Sequence, residues 1–217
     1  YSDSMALDLI NPHVSKIVLA MEPGDSISEI SRKIGTSYGY THEWIEQLEE
    51  IGVIQRDEGV EIVDEAFAES FRNTAETVFE RDFDIEDAYL LPNFSGLEYR
   101  YSKTDAVYIW TKGGYQIARN QDDYPIFIDV HEKDVEEWQE FFENVGVQIE
   151  IGERTQEEQG IYYVAFPRKN FETEWTENAS VTPLDETVEW MNQNEASFQP
   201  ALEMVDRMYD LELGVNY

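Results

Sequence analysis

The spacing of apolar residues along the first 63 positions keeps the helical period through three interrupted segments and then turns β-type, and each segment predicts an element. Val14, Ile17, Val18 and Met21 recur at three- and four-residue intervals behind Asn11-Pro12, so a helix over 11–22 has Asn11 as its cap and Pro12 in its first turn. Pro23-Gly24 ends it. Ser26-x-x-Glu29 is a capping box, and Ile27, Ile30 and Ile34 then line one face of a second helix that stops at Gly35. A third helix is expected from about Tyr38 to Ile51, with Thr41, Trp44, Ile45, Leu48 and Ile51 on its inner side and Gly52 as its stop. VIQRDEGVEIV (53–63) holds two short β-type runs around Asp57-Glu58-Gly59, a hairpin signal.

Beyond that hairpin the pattern continues as one long helix. DEAFAESFRNTAETVFERDFD (64–84) opens on Asp64 as a cap and carries Phe67, Phe71, Ala75 and Val78 or Phe79 as a stripe, suited to packing on the N-terminal unit or to pairing with a second copy. Near Leu91-Pro92-Asn93 the chain turns strand-rich. Tyr99–Tyr101, Ala106–Thr111, Ile126–Val130, Val147–Ile151 and Ile161–Phe166 are expected strands, with Gly113-Gly114 as a turn. Val135, Trp138, Phe142 and Val145 give a helix over 133–145, and Pro183-Leu184 opens a helical tail with Phe198, Leu202, Val205 and Tyr209 on one face. The expected class is α+β: an N-terminal domain over 1–63, a connecting helix over 64–90, and a mixed α/β sheet domain with a helical C-terminal tail over 91–217.

Composition sharpens this picture. The chain has 217 residues, 47 Asp plus Glu against 15 Lys plus Arg, and a formal charge of −32. The acid is dispersed, since residues 1–60 hold 11 acidic and 4 basic side chains and the remainder 36 and 11. Dispersed acid matches the bias of proteins from salt-in halophiles, whose carboxylates keep a surface hydrated, and so implies a halophilic, archaeal, cytoplasmic protein. No run of about 18 apolar residues and no signal peptide is visible, so neither a membrane partner nor export is expected. Without Cys, and with three scattered His, neither thiolate nor zinc chemistry is available, and no metal or cofactor is expected.

If the acid is global, the informative stretches are those that lack it. They are 9–21, ISRKIGTSYGYTH (30–42), AVYIWTKGGYQIARNQ (106–121) and QGIYYVAFPRKNF (159–171). Core burial accounts for most of them, but 30–42 is polar. The Ile27/Ile30/Ile34 face, Gly35, the Ile45-x-x-Leu48-x-x-x-Gly52-x-Ile54 ending and the hairpin together resemble winged helix-turn-helix transcription regulators of archaea and bacteria, over roughly 10–63.

That resemblance implies a DNA-binding transcription regulator. The residues that would enter the major groove are Thr36, Ser37, Tyr38, Gly39, Tyr40 and His42, with Lys16, Arg32, Lys33 and Arg56 toward the phosphates. The implied partner is double-stranded DNA bound by a homodimer, with a small-molecule effector of unknown kind as a further possibility for the C-terminal domain. Glu43, Glu46 and Glu50 would lie on the outward face and oppose phosphate, as would Asp57 and Glu58 in the hairpin. A protein-interaction module, antitoxin-like or scaffolding, is the competing class.

In the C-terminal part, Gly113-Gly114 followed by IFIDV resembles the sheet of nucleotidyltransferase-like domains found behind winged helices in some regulators and type IV antitoxins, over about 90–170. That family holds its metal with two carboxylates one residue apart. Here the positions are Asp129 and His131, and Asp122-Asp123 has the wrong spacing, so the resemblance implies a non-catalytic domain. No P-loop, Rossmann fingerprint or G-x-S-x-G occurs. The strip Tyr108, Trp110, Tyr115, Lys112 and Arg119 is either sheet packing or a ligand-facing surface.

Overall fold

A computed structural model describes residues 9–117, 119–120, 122–155 and 160–214. The chain forms two compact units. Of the described residues, one unit takes those up to Leu97 together with Glu140–Val147; the other takes those within Glu98–Gln139 and from Gln148 on.

In the first unit, α1 (Pro12–Ala20), α2 (Ile27–Ile34) and α3 (Tyr38–Glu50) are followed by the antiparallel hairpin β1 (Ile54–Arg56) and β2 (Val60–Ile62), then α4 (Glu65–Phe79) and α5 (Ile85–Ala88). The caps are those the sequence signals. Asn11 Oδ1 accepts from the amides of His13 and Val14, and Ser26 and Glu29 cap each other reciprocally. Gly35 closes α2 at φ 68°, a left-handed conformation that costs glycine nothing. Val14, Ile17, Ile30, Ile45 and Leu48 are completely buried in one core with Ile54, Val60 and Ala68, and Ile27, Trp44, Phe67 and Phe71 pack against it. At roughly 1.5–3 kcal/mol per fully buried aliphatic side chain, this cluster is the main reason the three helices hold together.

The hairpin is tied back to the turn before α2. Val60 N donates to Asp25 O (2.8 Å) and Gly24 N to Val60 O (3.1 Å). A Cβ on Gly59 would stand 2.3 Å from Gly24 O, so only glycine permits this approach. One expected inner position differs, and one alternative is decided. Ile51 is exposed, because α3 ends at Glu50 and the left-handed Gly52 turns the chain away. On α4 it is Phe79, not Val78, that faces inward, and Ala68 is its one buried residue.

The second unit is built on a six-stranded mixed sheet in the order β5 (Ile149–Ile151), β6 (Gly160–Arg168), β4 (Asp123–His131), β3 (Tyr99–Tyr101), β8 (Ala179–Val181), β7 (Glu174–Thr176). The β5–β6, β6–β4 and β3–β8 pairs are parallel; β4–β3 and β8–β7 are antiparallel. The remaining α-helices are α6 (Lys103–Trp110), α7 (Val135–Asn144), α8 (Leu184–Gln193) and α9 (Glu195–Tyr209). The end of α7 and the turn after it, Glu140–Val147, group with the first unit. The class is mixed α and β, consistent with α+β.

One expected strand is a helix. Residues 106–111 lie in and just after α6, with Ala106, Val107, Ile109 and Trp110 all buried. A short apolar run buried on most of its circumference shows little amphipathic period and looks like a core strand. The hairpin β7–β8 was not expected; Glu177 and Asn178 turn it with both residues at positive φ (49° and 59°). Among the described residues no helix is long and apolar enough to cross a membrane.

Candidate nucleic-acid interface

The residues singled out between 36 and 42 converge on the N-terminus of α3. Ser37 is the N-cap, its Oγ accepting from Tyr40 N at 3.4 Å. Behind it, Thr36 Oγ1 and the fully buried Thr41 Oγ1 lie 2.7 Å apart, and Thr41 also donates to Ser37 O (3.1 Å). This pair fixes the loop between α2 and α3 to the core. The helix therefore starts at a defined point, with no acidic residue in its first turn. Its unpaired amides and dipole leave that end electropositive.

The aromatic side chains of this turn stand outward. Tyr38 is 53 % exposed and Tyr40 38 %. Tyr38 stacks at a tilt on His42 (5.7 Å between centroids), and Tyr40 meets His13 of α1 (4.9 Å) and Trp44 (6.1 Å) edge-on. His42 Nδ1 lies 3.6 Å from Glu46 Oε2. Sequence reasoning did not select His13. Its position beside the Asn11-Pro12 start of α1 places it against Tyr40, a neighbour 27 residues away that no local pattern reveals.

The four cations divide into two pairs. Lys16 and Arg32 are exposed and form no ion pair with a described residue. Lys33 is held at 2.8 Å by Asp25, with Glu22 at 3.7 Å and Ala20 O at 3.3 Å. Arg56 is fixed to Glu49, its Nε donating at 2.8 Å; that bond lowers the Glu49 carboxyl pKa and raises that of the guanidinium. Lys33 and Arg56 thus brace the unit internally, the one linking α2 to the turn before it, the other linking α3 to β1. Glu43, Glu46 and Glu50 are exposed, as are Asp57 and Glu58.

In the second unit, the strip at 108–119 is mostly internal. Trp110 is buried and donates to Thr182 O (2.9 Å), and Tyr115 hydrogen-bonds Ser197 O. Arg119 makes a buried two-point pair with Asp105 (2.6 and 3.1 Å), and Lys112 pairs with Glu177 at 3.3 Å. Asp129 is buried and accepts from Arg100 (2.9 Å) and Arg168 (3.3 Å), while His131 bonds Glu98 at 2.9 Å and stacks on Phe171. Among the described residues no group of three or more His, Asp or Glu is arranged to hold a metal ion. Comparison with protein-family models, with curated proteins and with solved structures gives no match.

Proposed function

We propose that this protein is a transcription regulator that occupies promoter or operator DNA through a winged helix-turn-helix formed by α1–α3 and the β1–β2 hairpin. The observation that carries the reading is the turn Ser37–His42. In a chain of charge −32 it is an acid-free, exposed helix start with two tyrosines, a serine and a histidine. Such a surface can donate hydrogen bonds to phosphate through its amides and hydroxyls and reach base edges with Tyr38, Tyr40 and His42. Lys16 and Arg32 supply backbone contacts on the flanks. Lys33 and Arg56 act indirectly, by keeping α2, α3 and the hairpin in register.

With only Lys16 and Arg32 exposed here and outside any ion pair among the described residues, and with three outward glutamates, phosphate neutralisation is a minor term, and counterion release yields little in concentrated salt. Recognition rests instead on hydrogen bonds and shape. The second unit dimerises the protein or senses a ligand. A DNA pull-down from sheared genomic fragments at molar KCl, followed by sequencing, tests this against Arg32→Ala/Tyr40→Ala. Enrichment of a few upstream sites that disappears in the variant is the expected result. Equal recovery by both proteins refutes it and favours an antitoxin-like or scaffolding role through protein contacts.

A further inference from the structure

Paired positions on neighbouring strands point to the same face of a sheet. Arg100 pairs with Asp129, and Asp129 with Phe166, so these three share one face. Phe127 and Arg168, two residues away on β4 and β6, join them. Phe127 and Phe166 lie 6.0 Å apart between centroids, and both are only partly covered. Onto this face the start of α6 delivers Lys103, with Nζ 3.4 Å above the Phe166 ring and 5.7 Å from that of Phe127. Its backbone is left-handed, φ 53°, a conformation that costs a non-glycine residue about 1 kcal/mol or more.

The charge balance here is inverted relative to the rest of the molecule. Three cations surround one buried carboxylate. Arg100 takes Asp129 at 2.9 Å and Glu186 at 2.9 Å. Arg168 reaches Asp129 through Nε alone at 3.3 Å, and its side chain is 48 % exposed. Lys103 forms no ion pair with a described residue. It is nevertheless close enough to feel both Asp129 and Arg168: burial lowers its ammonium pKa most, attraction by Asp129 opposes this, and repulsion from Arg168 adds to it. In a chain with three acids for each base, Lys103 has no ion pair with a described residue, and Arg168 meets Asp129 through Nε alone and keeps its outer edge toward solvent.

We propose that Lys103 and Arg168, over the Phe127–Phe166 floor, form a binding site for a doubly charged oxyanion, the phosphate group of a small molecule. The ammonium offers three donors and the outer edge of the guanidinium a planar pair, which together match the charge and the oxygens of a phosphate. The two rings supply a flat apolar surface beside it. This assigns a ligand class to the sensing role proposed above, and it does not depend on DNA binding.

The test is titration of the full chain with inorganic phosphate and with pyrophosphate at constant potassium activity, read by calorimetry and by thermal shift without DNA. Saturable binding is expected, weakened about tenfold or more by Lys103→Met and by Arg168→Gln, and unchanged by Lys112→Met, whose ammonium pairs with Glu177 elsewhere. Lys103→Met retains the apolar stem over Phe166, and melting without phosphate checks that each variant folds. Absence of saturable binding by the wild type, or equal binding by a folded Lys103→Met variant, overturns the proposal. Either result leaves the DNA pull-down unaffected.

Discussion

Asp105 offers the most quantitative test of how the second unit is held together. Its carboxylate is fully buried, receives two bonds from Arg119 and accepts from Phe127 N at 2.7 Å, so it joins α6 to the segment before β4 and to β4 itself. Asp105→Asn keeps the volume but removes the charge. The Arg119 side chain is 2 % exposed, so its guanidinium would stay buried without a counter-charge. Breaking one side of a buried pair costs about 3–5 kcal/mol. For a chain of this size each kcal/mol lowers Tm by about 2–4 °C, so a drop of roughly 6–20 °C follows. Arg119→Met alone should cost a similar amount, and the double variant distinctly less than the sum. Calorimetric melting in molar KCl is the assay, because screening by salt does not reach a buried pair. A single-variant loss below about 1 kcal/mol, the size expected of an exposed pair such as Arg72–Glu65, would refute the reasoning.

Other outcomes follow from the first unit. Lys33→Ala should lower Tm by removing the Asp25 pair, whereas Arg32→Ala should leave Tm unchanged and weaken DNA binding; melting and fluorescence anisotropy on the two variants separate these roles. Gly59→Ala should destabilise the first unit by more than 1 kcal/mol in urea unfolding, since the added Cβ collides with Gly24 backbone. Ser26→Ala should cost about 1 kcal/mol. Hydrogen bonds from Ser26 hold the Glu29 carboxyl below its ordinary 4.5, so that part of the stability is present above pH 4.5 and is lost as pH falls through the lowered value; the Ser26→Ala variant should show less of this acid loss in pH-dependent unfolding.

The first unit was legible because its elements announce themselves locally. Asn11, Ser26-x-x-Glu29 and Ser37 cap helices whose apolar faces repeat at helical spacing, and Gly35, Gly52 and Gly59 stand where the chain turns. The second unit was less so. In α6 five of eight residues are buried, Asp105 to Val107 in a row, which blurs the helical period, although Ser102-x-x-Asp105 was a usable start signal. The strands β7 and β8 have three residues each, too few for alternation to register. Within the candidate interface, composition drew attention to the turn at 36–42 but could not divide its cations. Whether Lys33 and Arg56 are available depends on Asp25 and Glu49, eight and seven residues distant and placed only by tertiary structure. The proposed oxyanion site was hidden for the same reason, because Lys103 at the start of α6 is brought over Phe166, two residues from Arg168 on β6, only by the tertiary fold.

The central claim is that the start of α3 touches DNA, and photocrosslinking tests it most directly. The protein would be bound at molar KCl to enriched fragments carrying 5-bromouracil, irradiated, digested and analysed by mass spectrometry. Crosslinks at Tyr38, Tyr40 or His42, abolished by competing unlabelled fragment, are the predicted result. Crosslinks confined to the second unit, or none above a scrambled-sequence duplex, would contradict it.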